Sequence, residues 1–317
     1  MASDVYFIDE KAKKRFKAQK IAFGILKYTF LTICALFMLL PFYYMIITSL
    51  KSPEALLNEV NTKTLNLFPS FKQMNLLNYK LVLFGYSSSS SSGNFLRYFA
   101  NTLIVAVCSM IVTVFTCVMS AFAFARLEFK GKNLIFTLLL STMMIPGEMM
   151  IITNFTTIKS IGWDNTYQAL ILTHAVSVFY IYYLRQTFQQ IPNELYLAAK
   201  VDGYGVFKYL WKVMIPMAMP TIVTIIILSV MGSWNAYLWP QMITSSSNMK
   251  LVAQGLMDMF SAFQSLPNEL AQLGYESSTL DGLRLAGSFV VTLPLLIFFI
   301  CFRKYIMRGV SRSGIKG

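Results

Sequence analysis

Polar side chains set into long apolar stretches are where chemistry is possible in this chain. Asn101, Gln168, His174 and Asn235 each interrupt such a stretch, and Tyr180, Tyr182 and Tyr183 stand together in another. Polar groups are costly in an apolar interior and tend to face a cavity or a neighbouring helix. Together they offer uncharged donors and acceptors beside flat aromatic faces, a set suited to a neutral, hydroxyl-bearing solute. Tyrosines at such places also serve as packing or interface anchors, and both uses stay open. No nucleophile and base stand together. His174 is the single histidine, no acid shares its stretch, and a satisfied place inside a helix bundle is its plainer role.

A second set is charged and lies in 191–220, IPNELYLAAKVDGYGVFKYLWKVMIPMAMP, which separates two apolar runs. Glu194, Lys200 and Asp202 occur there beside Leu197, Ala198, Ala199 and Gly203. Pro192 suits a first helical position, and Glu194 in the first turn complements the positive end of the helix dipole. Gly203 suits a left-handed cap. A second helix follows, because Val206, Tyr209, Leu210, Val213 and Met214 fall at i, i+3, i+4, i+7 and i+8. Lys208 and Lys212 take another face, and Pro216 and Pro220 mark the climb into the next apolar run. The pattern predicts a helix–turn–helix along a membrane face, with small Ala198 and Ala199 allowing close approach of a partner. An amphipathic interfacial loop without a partner is the bland alternative.

Composition dictates the elements that must position both sets. Hydrophobic residues make up 56% of the 317-residue chain and charged residues 13%, against about 25% charged in soluble domains. A water-soluble core of this size cannot hide so much apolar surface, so lipid is the implied solvent. A spanning helix needs roughly 20 apolar residues, and stretches near 24–48, 98–124, 133–153, 165–188, 218–239 and 285–303 meet that length. The expectation is an all-α membrane protein of six spans, with an N-terminal tail at 1–23, a membrane domain at 24–303 and a C-terminal tail at 304–317. Strands of alternating polarity, the mark of a β-barrel, are not the pattern here.

Lys and Arg orient the spans. Lys11, Lys13, Lys14, Arg15, Lys17 and Lys20 precede the first span, Arg126, Lys130 and Lys132 follow the second, and Arg185 in the last turn of the fourth is joined by Lys200, Lys208 and Lys212 after it. Arg303, Lys304, Arg308, Arg312 and Lys316 close the chain. With six spans these clusters share one side, and by the positive-inside rule both termini are cytoplasmic. The net charge of +13 is therefore a matter of topology. Basic residues confined to short juxtamembrane turns form no patch for nucleic acid.

Cys34, Cys108, Cys117 and Cys301 lie inside apolar spans, where a thiol acts as a small hydrophobe; no disulfide, metal or cofactor pattern is present. The first 20 residues lack a cleavage-type region and read as a cytoplasmic tail with a retained first helix. Two outward segments, about 50–97 and 240–284, are long enough to fold over a partner. The first ends in a serine run at 87–92 that reads as a flexible linker. The second suggests a surface helix around 249–263, either facing a partner or packed as a cap on the bundle.

The pattern IP-x-EL-x-x-AA-x-x-DG followed by IP-x-x-x-P resembles the EAA signature of bacterial ABC import permeases, in the spacing of their carbohydrate-import, MalG-like branch. Other segments agree in order: TSLKSPEA at 48–55, NTLIVAV at 101–107, AFAFARLEFKGK at 121–132, MIPGEMM at 144–150, SWNAYLWP at 233–240 and RGVSRSGIKG at 308–317. The likeness covers nearly the whole chain.

That resemblance implies a type I importer permease. The chain would form half of a path for oligosaccharides or related sugars, beside a second homologous permease, two copies of an ABC ATPase and an extracellular lipoprotein or periplasmic sugar-binding protein. It has no Gly-x-x-x-x-Gly-Lys-Ser/Thr loop, so ATP and magnesium would belong to the partner ATPase. Glu194, Leu197, Ala198, Ala199, Lys200, Asp202 and Gly203 would form the coupling helix, with Asp202 accepting hydrogen bonds that fix the turn. Gly314, Lys316 and Gly317 would lie in a tail between the ATPases, and the binding protein would meet a loop around 261–278. Asn101, Gln168, Tyr180 and Asn235 are the substrate-path candidates. Two positions depart from the family: Leu197 stands where the signature has glutamate, and Tyr204 where it usually has alanine. An apolar contact or Glu194, one turn earlier, would replace the missing carboxylate. A secondary transporter or intramembrane enzyme is the alternative, disfavoured by spans whose only acid is Glu148, just past Pro146 in the 144–150 loop.

Overall fold

In the computed structural model of the chain, residues 10–85, 95–262 and 268–311 are described; the serine run at 87–92 lies outside them. The architecture is all-α. Helix α1 (Glu10–Leu50) is followed by two short helices, α2 (Pro53–Thr62) and α3 (Leu77–Phe84), and then by the long α4 (Phe95–Arg126). Next come α5 (Lys132–Thr142), α6 (Met150–Ser160), α7 (Tyr167–Leu172) and α8 (Val178–Gln189). The chain continues through α9 (Asn193–Val201), α10 (Val206–Tyr209), α11 (Ile215–Trp234) and α12 (Leu238–Ile243). It closes with α13 (Val252–Ala262), α14 (Asn268–Gln272) and α15 (Asp281–Ser311).

Four uninterrupted helical stretches among the described residues are long and apolar enough to cross a membrane: Arg15–Leu50, Phe95–Arg126, Val206–Trp234 and Ser277–Arg303. The protein is thus a multi-pass membrane protein. The stretches expected as third and fourth spans are not single helices, and of the two only the third, taken as a bent pair, has the length and apolar character of a span. Between α5 and the stretch Gly147–Ser160 the axis bends by 82°, and Pro146 in that corner has no N–H with which to continue the helix. The break between α7 and α8 contains neither Gly nor Pro. There Thr116 Oγ1 on α4 donates to the freed carbonyl of Ala175 at 2.9 Å, and Ser177 caps α8 by accepting from the N–H of Tyr180. Such side-chain partners are what permit non-helical backbone at membrane depth.

The centre of the bundle is α4 against α11 and α8. Ala106, Cys117, Ala121 and Ala218 are almost fully buried along these contacts, and small side chains let helix backbones approach closely. By contrast α1 packs on α15 along one side and leaves Phe37 and Met38 at least 70% exposed. In water such a stripe would be a liability; in lipid, or under a neighbouring subunit, it is ordinary surface.

The end of the bundle away from the basic clusters is closed by a self-packed cap. Lys51 is buried, ion-paired with Glu59 at 2.7 Å and donating to Asn66 O at 2.7 Å. Asn78 donates to Ser49 O and Lys51 O and accepts from the Tyr275 hydroxyl at 2.5 Å. Burial pushes the Tyr275 phenol well above its usual value, so it remains a donor. A Cβ at Gly282 would come within 2.7 Å of Leu56, which is how closely α15 runs under α2. The helix expected around 249–263 is α13. Gly255 faces the Tyr98 ring, where a Cβ would meet ring carbon at 2.3 Å, and Met259 is buried against Gly287. Of the two roles left open for that helix, its inner face serves the cap.

Candidate functional site

At the basic end, α9 is built from signals within a dozen residues. Pro192 is the residue just before the helix and Asn193 the first within it, with Glu194 exposed in the first turn. The helix closes on backbone bonds alone: Asp202 N–H to Ala198 O at 2.9 Å, Gly203 N–H to Lys200 O at 3.0 Å and Tyr204 N–H to Ala199 O at 2.8 Å. Gly203 has φ +73°, a conformation that costs other residues roughly 1–2 kcal/mol. The Asp202 carboxylate is exposed and makes no hydrogen bond among the described residues, so the turn is held by backbone where a carboxylate acceptor was expected.

Ala199 faces the bundle and is buried, whereas Leu197 is 54% and Val201 88% exposed and Ala198 is also uncovered. The second helix does not lie separately along the membrane. It passes through one π-turn at Leu210–Met214 directly into α11, so that Val206–Trp234 is one 29-residue stretch. Pro216 has no N–H to donate to Lys212, and the wider turn sits immediately before it. Tyr209, Leu210 and Met214 are buried as the periodicity predicts, while Phe207 and Trp211 stay exposed. Tyr204, one departure from the signature, lies under Lys208, whose Nζ is 4.1 Å from the ring centroid; Lys200 sits similarly over Tyr196.

Two cations counted in the sequence only toward topology turn out to brace this surface. Arg126, the last residue of α4, donates to Phe188 O at 3.1 Å and to Ile191 O, and reaches Asn193 Oδ1 at the start of α9. Arg185 donates to Phe124 O at 3.0 Å and stacks 4.0 Å over the Phe136 ring. Together they tie α4, α5, α8 and α9 into one rigid unit. Gly314, Lys316 and Gly317 lie outside the described residues.

Inside the bundle a cavity of about 350 Å³ lies between α4, α11 and the α7–α8 break. Of the path candidates, Tyr180 lines it, as does His174, whose ring stands edge-on to Trp239 at 5.6 Å. Asn101 is elsewhere: it donates to Asn248 O and Lys250 O and accepts from the Tyr167 hydroxyl, pinning a loop. Gln168 is exposed outside the cavity lining. Asn235 is also exposed and bonds back to Met231 O. The sequence reading passed over the hydroxyls of the lining. Ser109 and Thr113 are four residues apart on α4, and Ser229 and Ser233 four apart on α11, so each pair shares one helix face.

These features define a polytopic helical membrane protein with a braced, uncovered helix at its basic end. Residues 114–312 match the family described as binding-protein-dependent transport system inner membrane component, and the chain belongs to that family. It is 28% identical over 303 residues to the arabinooligosaccharides transport system permease protein AraQ of Bacillus subtilis, covering 96% of this chain and 98% of that one. It is 32% identical over 222 residues to the probable ABC transporter permease protein YurM of the same organism, covering 69% of each. In fold it is similar to a chain of a bacterial ABC transporter involved in import of the acidic polysaccharide alginate. That match has TM-score 0.77 and 23% identity, and covers 90% of this chain and 97% of that one.

Proposed function

We propose that this chain is one of two membrane subunits of an ATP-driven importer of oligosaccharides or related sugars, supplied by an external binding protein and powered by a separate pair of ATPases. The observation that carries the reading is α9. It is a short capped helix braced by Arg126, and it leaves Leu197, Ala198 and Val201 uncovered at the basic end. Both termini and α9 are cytoplasmic in this reading, in line with the positive-inside rule. The ATPases hold ATP and magnesium and grip α9; their closure moves the braced unit as a body and rocks the bundle between inward- and outward-facing states. With Leu197 in place of glutamate, the grip rests on apolar fit, with Glu194 and Lys200 as flanking polar contacts. Gly314, Lys316 and Gly317 belong to a tail that meets the ATPases. The second permease covers the exposed face of α1, and the cap end receives the binding protein. Tyr180 is the path residue that the cavity supports.

Gly203→Pro tests coupling. Proline cannot adopt positive φ and removes the N–H that closes the turn on Lys200. Sugar uptake by cells carrying this variant is expected to vanish while the permease stays in the membrane at normal abundance. Normal uptake would overturn the assignment of α9 as the coupling helix.

A further inference from the structure

Several serines and threonines in or just after the helices of this protein hydrogen-bond back to a carbonyl one turn earlier. Thr102 bonds to Tyr98 O, Thr173 to Ala169 O, Thr224 to Pro220 O and Ser288 to Arg284 O. Four residues lining the cavity break that habit. Ser109, Thr113, Ser229 and Ser233 have no hydrogen-bond partner among the described residues, although Ser109, Thr113 and Ser229 are all less than one-tenth exposed. A hydroxyl that neither back-bonds nor meets a protein partner is costly at membrane depth. None of the four is sealed inside packed protein, so what accessibility they keep opens into the cavity.

Each hydroxyl both donates and accepts, which is also the property of every hydroxyl on a sugar ring. The lining also holds aromatic surface in Tyr180, Tyr237 and Trp239, with His174 edge-on to Trp239. Trp239 spends its N–H on Ala169 O, leaving its ring as a face to stack on. Among the described residues no Asp, Glu, Lys or Arg lines the cavity. A carboxylate brought here would lose its hydration and find no cation in return.

We infer that this cavity is a saccharide subsite belonging to this subunit, that it takes an uncharged sugar segment through the two hydroxyl pairs and the aromatic wall, and that it refuses uronic acids. The inference rests on the import reading and adds to it a location and a sign of charge. The volume is at the low end of the roughly 300–1,000 Å³ usual for ligand sites, so a short segment of a chain fits at one time. The acidic polysaccharide of the alginate importer of similar fold is the class of sugar that this lining excludes.

The test uses the assembled complex in vesicles, with its partner permease, ATPases and binding protein. Uptake and stimulated ATP hydrolysis are read for arabinotriose, maltotriose and, as charged counterpart, trigalacturonate. The wild type is expected to respond to a neutral trisaccharide and not to trigalacturonate. With Thr113→Val and Ser229→Ala combined, uptake should fall about tenfold or more, two hydrogen bonds being lost. Co-purification of the partner permease and the ATPases with the double variant is read beside uptake, so that a loss of assembly is told from a loss of passage. Thr113→Ser keeps the hydroxyl and should keep uptake. Wild-type uptake by the double variant would mean that the cavity holds only water, and transport of trigalacturonate would also overturn the inference. A complex whose hydrolysis responds to none of the three sugars would defeat the import reading itself.

Discussion

The two ends of the bundle solve opposite problems. At the cap end polar groups are consumed internally: Lys51 on Glu59 and Asn66, Asn78 on Ser49, Lys51 and Tyr275, Ser49 on Tyr79. At the basic end α9 closes on its own backbone, with Arg126 on Asn193, and leaves the side chains of Glu194, Leu197 and Val201 to whatever comes from outside. A closed network makes a region rigid and costly to alter. An open, self-capped helix makes a region that a partner completes. The difference predicts that equal insults at the two ends will be felt by different things: the fold of the subunit at one end, its assembly at the other.

The largest effect is expected from Lys51→Met. The ammonium is 1% exposed and Glu59 16%, so removing the cation strands a nearly buried carboxylate. Breaking one partner of a buried pair typically costs about 3–5 kcal/mol. Thermal unfolding of the detergent-solubilised subunit should show a loss of that order, and adding Glu59→Leu should restore part of it. If Lys51→Met unfolds like the wild type, the cap is not held by this pair and the contrast between the two ends dissolves.

Ala199→Leu probes the one buried position of α9. Ala199 is packed among Ile191, Tyr209 and Leu210, so three extra carbons overpack a closed site, at about 1–3 kcal/mol. A smaller loss of thermal stability than for Lys51→Met is expected, with weakened ATPase retention, because the helix is pushed off its seat. Unchanged stability would show that α9 floats on the bundle and transmits little.

How far the two ends were legible in the sequence follows the same division. The signals for α9 are local: Glu194 in a first turn, Gly203 able to take positive φ, and two alanines between them, all within a dozen residues. The basic clusters and apolar run lengths were likewise readable without tertiary contacts. The cap was not, since Asn78 meets Tyr275 across nearly two hundred positions and nothing near either residue announces the other. The α7–α8 break was hidden too, because its carbonyl at Ala175 is satisfied from α4 by Thr116 and not by a local Gly or Pro. Arg126 looked like a topology charge because only folding brings Phe188 and Ile191 to it. Asn101 was a reasonable path candidate by type, yet the fold commits it to the carbonyls of Asn248 and Lys250. The serine and threonine pairs at i, i+4 are readable in principle as polar faces in apolar helices.

The smallest effect on the subunit, and the sharpest on its assembly, is expected from Val201→Asp. Val201 is 88% exposed at the last position of α9, so nothing in the subunit itself covers it. A substitution at such a surface position usually changes stability by less than about 0.5 kcal/mol, and the unfolding curve of the isolated subunit should be unmoved. In the complex, an apolar grip that closes over Val201 and Leu197 would have to bury a new carboxylate without a designed cation, a loss of binding and not of folding. Co-purification of the ATPases should therefore fall sharply, with Val201→Leu keeping it. Retention of the ATPases by Val201→Asp would move the contact to the Glu194 and Lys200 side of α9 and make it polar. A destabilised isolated subunit would instead mean that this end is as closed as the cap.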